Sequence, residues 1–495
     1  MKDTGFRNAM TWLHTWAGLL PGWVLFAIFV TGTATYFRPE ITAWMQPEVP
    51  RRVSVPDAGQ HALAHLAEVA PDSPRWLVSL PDARSSELKV FWQEPPARRF
   101  KSADIDPLHG TESTARKTYG GEFFYRFHFQ LMLPHPWGRW LACIAAVFML
   151  VALISGVATH RRLLADMFLF RRTRDGRRPW LDFHNVTAVL ALPFYVLIAY
   201  SALVVFNYMY MPWARFALDS VDAKPAKAVA ASGNDTDAAP VDMVSPEEIF
   251  RTTATLWGGE RSVRRIDIAD RGTADAVITL TRADGPAVSL HSRDTLKFSA
   301  VTGEPIQEAD AVGPGRAALG WLYGFHLARF ADPVLRTLFF IMGAMGTAMT
   351  GTGLALWTLK RRDKLCSAGR GGRFGYWLVS RLNVAFITGL PVACAAYFWA
   401  NRLVPAGVAG RDQWEINAVL IIWAATALHA FVRPERAGWR EQFVAGAVAF
   451  GGLPLLDLAT GGRFDGLHAG FSLVFFALAA FCVFGARRLC KPSAA

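Results

Sequence analysis

A polytopic α-helical membrane protein of about eight spans, carrying two α+β domains outside the bilayer in a duplicated helix–domain–helix unit, is the fold class the sequence predicts. Three observations lead there. The chain has 495 residues, 52% of them hydrophobic, with a mean hydropathy of +0.21, too apolar for an ordinary soluble protein of this length. Several apolar stretches reach the roughly 20 residues that cross about 30 Å of hydrocarbon as helix. A set of short motifs also recurs in matched positions of the two halves.

The spans are read as about Trp12–Phe37, Trp140–His160, Phe183–Met211 and Val334–Leu359, followed by a second cluster at Trp377–Ala400, Trp414–Val432, Phe443–Leu458 and Leu467–Ala486. The seventh is interrupted by Gly451, Gly452 and Pro454. Only helices satisfy their own backbone groups in lipid, so each stretch is predicted helical.

Orientation follows from Lys/Arg bias in short loops. Residues 161–182 carry Arg161, Arg162, Arg171, Arg172, Arg174, Arg177 and Arg178, and residues 361–376 carry Arg361, Arg362, Lys364, Arg370 and Arg373. Both loops are predicted cytoplasmic, as are the two termini. Basic loops account for most of the net charge of +12, so no nucleic-acid partner is needed to explain it. Of the five cysteines, Cys143, Cys394 and Cys482 fall in spans, and Cys366 and Cys490 in predicted cytoplasmic segments. No disulfide is therefore expected outside the membrane. The first apolar run is too long for a cleaved secretory signal and reads as an uncleaved anchor.

The chain then organises as a first repeat (1–160) with an external domain at about 39–120, and a second (183–360) with one at about 240–318. A C-terminal four-helix membrane region (377–495) follows. The first domain offers a helix around Gln60–Val69 and strands Trp76–Leu80 and Leu88–Trp92. The second offers a helix around Pro246–Leu256 and strands Val263–Ile268, Ala276–Leu280 and Ala287–Leu290. Ala223–Asp242, without an aromatic residue, reads as a flexible lead-in. Tyr125-Arg-Phe-His128 matches Tyr323-Gly-Phe-His326, and the turn Asp106-Pro-Leu-His-Gly110 matches Ala300-Val-Thr-Gly-Glu304.

Histidines carry the candidate chemistry. Each repeat places one near the inner start of its first span, His14 and His184, and one just before its second span, His128 and His326. By depth they form two pairs, His14 with His184 and His128 with His326. Two imidazoles facing each other from different helices suit bis-histidine haem, so these four are candidate cofactor-binding and haem-iron ligands. The competing reading is an interfacial histidine with a wet polar tip, which the matched placement in both repeats disfavours. His160, His429 and His468 are weaker candidates without an obvious partner. Gly18, Gly22, Gly32, Gly156, Gly343, Gly346, Gly351 and Gly353 are spaced so that helices, or a flat macrocycle, can approach closely, helix packing being the simpler account. No dinucleotide fingerprint, phosphate loop, CxxC or CxxCH is present, so any haem is expected to be non-covalent haem b, two per chain.

Trp12-Leu-His-Thr-Trp-Ala-Gly18, the Phe-His of both pre-span segments, the Asp-Pro-x-x-Gly turn and the paired architecture resemble the PepSY-associated transmembrane family, which includes inner-membrane ferric-siderophore reductases. The resemblance covers about residues 1–362. It implies PepSY-like periplasmic domains over a four-helix core in a bacterial inner membrane, with haem ligands at His14, His128, His184 and His326. The four further spans after residue 376 depart from a minimal four-helix member.

The expected function is a transmembrane haem-dependent oxidoreductase. It would take electrons from a quinol or a cytoplasmic reductase and reduce a ferric siderophore or other ferric chelate in the periplasm. An iron or siderophore permease is the second class; it meets few intramembrane acids, with Asp457 read as the one clearly inside the last apolar cluster. A non-enzymatic PepSY-type periplasmic regulator is the third.

Overall fold

A computed structural model describes residues 2–51, 53–94, 99–159, 178–211, 213, 244, 246–257, 263–282, 295–306, 313–366 and 370–490. The first half runs α1 (Lys2–Leu19), α2 (Gly22–Thr35), α3 (Arg38–Met45), α4 (Val55–Val69), β1 (Trp76–Ser79), β2 (Leu88–Glu94), β3 (Arg99–Ile105), α5 (Glu122–Gln130) and α6 (Trp137–Thr159). The second half runs α7 (Arg178–Leu190), α8 (Leu192–Val205), α9 (Pro246–Trp257), β4 (Val263–Ala269), β5 (Val277–Arg282), β6 (Thr295–Ser299), β7 (Pro305–Ile306), α10 (Pro314–Leu327) and α11 (Pro333–Cys366). The C-terminal region adds α12 (Arg370–Ile387), α13 (Gly389–Leu403), α14 (Arg411–Val432), α15 (Glu435–Ala459) and α16 (Gly466–Cys490).

Among these elements, α1/α7, α2/α8, α4/α9, β1/β4, β2/β5, β3/β6, α5/α10 and α6/α11 correspond in order, which is the internal duplication in structural form. The chain folds as two compact units. One takes Met1–Met45, Lys117–Phe206 and Ala331–Ala495; the other takes Gln46–Arg116 and Asn207–Phe330.

The first unit is helical. Among the described residues six helical stretches are long and apolar enough to cross a membrane, α12 and α13 counting as one, and the number is up to eight if each of two bent pairs is one span. The protein is a multi-pass membrane protein in contact with the lipid bilayer. Both bent pairs open a repeat: α1 with α2 at 60° and α7 with α8 at 66°. Pro21 stands at the first break and Pro193 begins the helix after the second. Proline has no N–H to give the preceding turn, so the axis turns there. By contrast, α15 runs unbroken through Gly451, Gly452 and Pro454, where the sequence suggests an interruption. The glycine is useful there: a Cβ on Gly452 would come within 2.7 Å of the Trp399 ring.

The C-terminal helices share a core with the first repeat. Ile41, Trp44 and Met45 of α3 and Phe123, Phe124 and Phe127 of α5 are buried with Leu390, Tyr397 and Phe398 of α13, Phe450 of α15 and Phe475 of α16. Trp44 lies edge-on to Phe398 and Phe475, at ring-centre distances of 5.4 Å and 5.7 Å.

The second unit corrects one expectation. Rather than two separate domains, the segments that follow α2 and α8 together form one seven-stranded antiparallel sheet of order β3-β2-β1-β4-β5-β6-β7. Each half supplies a meander, and the halves join where β1 pairs β4, Trp76 facing Ile268 and Val78 facing Ile266. The reason is burial. Alternate residues of both meanders, among them Val78, Val90, Ile266, Ile278 and Phe298, point to one face and pack with Ala58, Ala62 and Leu66 of α4. Joined in this way, the two meanders bury one continuous apolar face.

Ser54 caps α4 by accepting from the Asp57 N–H. The two halves also end their third strands alike. Gly110 at φ +74° bonds back to the Asp106 carbonyl, and Gly303 at φ +71° to the Ser299 carbonyl, both at 2.9 Å. The structural match is therefore Asp106 with Ser299, one residue earlier than the motifs suggest.

Four sequence readings lie outside the described residues: most of the basic loop 161–177, the lead-in Ala223–Asp242, the strand Ala287–Leu290, and His160.

Candidate functional site

Three of the four singled-out histidines make one recurring contact. His14 on α1 sets Nδ1 2.8 Å from the Ala152 carbonyl of α6, His128 on α5 sets Nδ1 2.9 Å from the Ile28 carbonyl of α2, and His184 on α7 sets Nδ1 2.9 Å from the Met349 carbonyl of α11. A carbonyl oxygen only accepts, so each Nδ1 donates and the lone pair belongs to Nε2. The tautomer is thus fixed by the backbone of a neighbouring helix.

The same three neighbours carry a glycine four residues after the accepting carbonyl: Gly156, Gly32 and Gly353. A Cβ on Gly32 would lie 2.4 Å from His128 Nδ1, one on Gly156 3.0 Å from His14, and one on Gly353 3.2 Å from His184. One turn of helix therefore supplies both the acceptor and the gap that lets the ring reach it. Four of the remaining glycines serve helix packing, Gly22 against Leu354, Gly343 against Thr33, Gly346 against Phe29 and Gly351 against Phe26, whereas a Cβ on Gly18 would meet nothing within 4 Å among the described residues.

His14 and His184 come together. Their ring centres are 6.4 Å apart with planes at 72°, each ring held by its own carbonyl, and Thr352 Oγ1 lies 3.3 Å from His184 Nδ1. The polar clamp on each ring is the arrangement that orients a ligating imidazole.

His128 sits near the end of α5, which closes at Leu131 in the left-handed region. Burial lowers the pKa of its imidazole, and the bond to the Ile28 carbonyl opposes this. His326 occupies the matching place in the other compact unit, two residues before the left-handed Ala328 that ends α10.

The segment leading into α5 is held by the C-terminal helices. Tyr397 donates to the Gly120 carbonyl at 2.9 Å and its ring stacks on Phe123 at 4.5 Å. Thr118 Oγ1 donates to Glu415 at 2.6 Å, and Arg411 donates to the Lys117 carbonyl at 2.7 Å. Glu415 itself is buried between Arg411, Asn401 and Thr118. This corrects the reading of Asp457 as the one acid in the last apolar cluster. Glu415 escapes a sequence reading because it sits one residue inside the predicted span, where an acid ordinarily marks an interface.

The weaker candidates separate. His429 has both ring nitrogens engaged, Nε2 with Glu441 at 2.8 Å and Nδ1 with Gln442 at 3.3 Å, which leaves no lone pair for a metal. His468 bonds through Nδ1 to Asp465 at 2.9 Å. Among the described residues no cluster of three or more His, Cys, Asp or Glu could hold a metal ion, so ligation would rest on pairs.

Residues 11–360 match the PepSY-associated transmembrane region. The chain belongs to that family. The match begins just before His14 and ends within α11, so it takes in all four histidines and the shared sheet and leaves out α12–α16. An uncharacterised protein of Pseudomonas aeruginosa is 22% identical to the chain over 353 residues, covering 63% of this chain and 80% of the relative. This PepSY-associated protein therefore extends the family's region by a C-terminal helical bundle that packs on α3 and α5.

Proposed function

We propose that the protein is a haem-carrying oxidoreductase of the bacterial inner membrane, moving electrons across the bilayer to reduce a ferric siderophore or other ferric chelate in the periplasm. The His14–His184 pair carries this reading. A metal–imidazole bond is about 2 Å, so two histidine rings this close could both reach one haem iron. The ring centres stand 6.4 Å apart, and the Nδ1 bonds to the Ala152 and Met349 carbonyls would hold the two rings in the tautomer a haem ligand needs. His128 shares the same clamp and is proposed as a ligand of a second haem b; His326 is proposed as a haem ligand only from its matching place in the repeat.

Held by these residues, haem would supply one-electron chemistry at a potential set by its histidine ligands, burial and hydrogen bonds. The chain's own part is to fix the ligand tautomer through Ala152, Ile28 and Met349 and to keep the histidine helices in register. The donor is proposed to be a quinol or a cytoplasmic reductase.

Purified from haem-replete cells, the protein is expected to give about two b-type haems per chain in a pyridine haemochrome assay; none would end this reading. His14→Ala and His184→Ala should abolish one and the same haem signal and leave the other. Loss of different signals from these two variants would reject the pairing.

A further inference from the structure

Trp44 and His468 are both buried, at 1% and 3% exposure, and each keeps one ring nitrogen without a hydrogen-bond partner among the described residues: Trp44 Nε1 and His468 Nε2. Their rings are neighbours, with centres 6.3 Å apart and planes at 34°. Leaving either nitrogen unsatisfied in an apolar interior is unfavourable, so two on neighbouring rings are a reason to look for a ligand.

The chemistry is specific. Trp44 Nε1 is a donor only. His468 Nδ1 faces the Asp465 carboxylate at 2.9 Å, which accepts, so in the neutral ring Nε2 is an acceptor. A hydroxyl accepts and donates at once and satisfies both. Around them stand Phe398, Phe471 and Phe475, while the Arg402 guanidinium lies 4.3 Å over the Trp44 ring and is paired to Asp457. The cluster sits at the ends of α3, α13 and α15 and the start of α16, where the apolar spans stop.

We propose that this cluster binds the hydroxylated ring of a membrane quinol. Trp44 Nε1–H donates to a ring hydroxyl, that hydroxyl donates to His468 Nε2, and Asp465 holds the histidine in the accepting tautomer. The neighbouring phenylalanines give the site an apolar surround suited to a hydrocarbon ring. Trp44 meets Phe398 at 5.4 Å and Phe398 meets Phe124 at 5.9 Å, one helical turn before His128 on α5. The proposal deepens the electron-transfer reading by placing its donor beside the helix of a proposed ligand, and it rests on that reading only for the purpose of binding.

The test is equilibrium binding of a decyl-chain quinol to the detergent-purified full chain under anaerobic conditions, with an azidoquinone photolabel mapped by mass spectrometry. His468→Gln and Trp44→Phe keep side-chain volume, and unchanged melting temperatures would show that both fold. Saturable binding, weakened roughly tenfold by either variant, with label in α3 or α16, is the expected result. No saturable binding, equal affinity in all three proteins, or label confined elsewhere would overturn the proposal and leave the two nitrogens to a bridging water. Haem content measured on the same samples is an independent readout, so protein that binds quinol but holds no haem would defeat the electron-transfer reading alone.

Discussion

Gly32 and His128 set the tightest constraint at the level of single residues. A methyl group at position 32 would lie 2.4 Å from the ring, so Gly32→Ala must push the imidazole off the Ile28 carbonyl at a cost of about 1–3 kcal/mol. The expected result is a changed or lost low-temperature absorption and paramagnetic resonance signal from the haem assigned to His128, with the other haem unchanged. Gly156→Ala and Gly353→Ala, whose neighbours stand at 3.0 Å and 3.2 Å, should perturb less. Equal effects from all three would show that the clamp does not depend on this gap.

Asp106 offers a pH test outside the membrane. Burial works to raise its carboxyl pKa, but bonds from the Leu108 N–H and from His109 prevail and hold it below the ordinary value. A carboxylate depressed in the folded state stabilises fully above its unfolded pKa of about 3.9 and loses that contribution as pH falls through the folded value. Asp106→Asn should therefore lower the unfolding temperature at pH 7, by the equivalent of about 1 kcal/mol, and converge with the wild type below about pH 3. A difference that persists in acid would place the effect in packing instead.

Among the elements, α5 is where the two parts of the helical unit meet, and Glu415 is the residue whose loss should be felt furthest. Glu415→Ala leaves Arg411, 1% exposed, without its carboxylate, a loss of about 3–5 kcal/mol for a broken buried pair. Tyr397→Phe removes one hydrogen bond and about 1 kcal/mol. Hydrogen exchange should speed up in residues 117–130 in both variants, more in the first. Faster exchange confined to α13 and α14 would show that the bundle does not brace α5.

Elements were also where the sequence was most and least legible. Hydropathy located the spans, and short apolar runs, partly alternating in β2, located β1, β2, β4 and β5, because a half-buried strand concentrates apolar residues in the chain. The reading missed β3, whose Arg99-Phe-Lys-Ser-Ala-Asp-Ile105 carries charge and is mostly exposed, missed β6, Thr295–Ser299, which lies beyond the strand expected at Ala287–Leu290, and missed α3, too short for a periodic signal. The pairing of β1 with β4 was out of reach, since it joins residues from separate halves and no local propensity encodes it. The histidines were legible from their repeat, but the carbonyl clamp was not; its only trace was a glycine on the neighbouring helix, already explained by packing. Trp44 and His468 looked like an ordinary core tryptophan and a lone histidine until the fold set them side by side.

Across the whole molecule, the basic loops predict that residues 46–116 and 207–330 face away from the cytoplasm. An alkaline phosphatase inserted within Ala223–Asp242 should be active, and a fluorescent protein that matures only in the cytoplasm should be dark there; the opposite pattern would invert the topology.

Joining the two meanders has one more outcome. Two separate sheets would offer four open margins to solvent, each a template for a stray strand, whereas the joined sheet, among the described strands, has two. One is β3, where Arg99, Lys101 and Asp104 stand among exposed neighbours and Lys101 and Asp104 pair back to Glu94 and Lys89. The other is β7, two residues long and beginning with Pro305, which has no N–H to offer. Charge on one margin and proline on the other discourage self-association and make strand addition a poor way for a peptide to dock, so a ligand of this unit is left with its faces and turns.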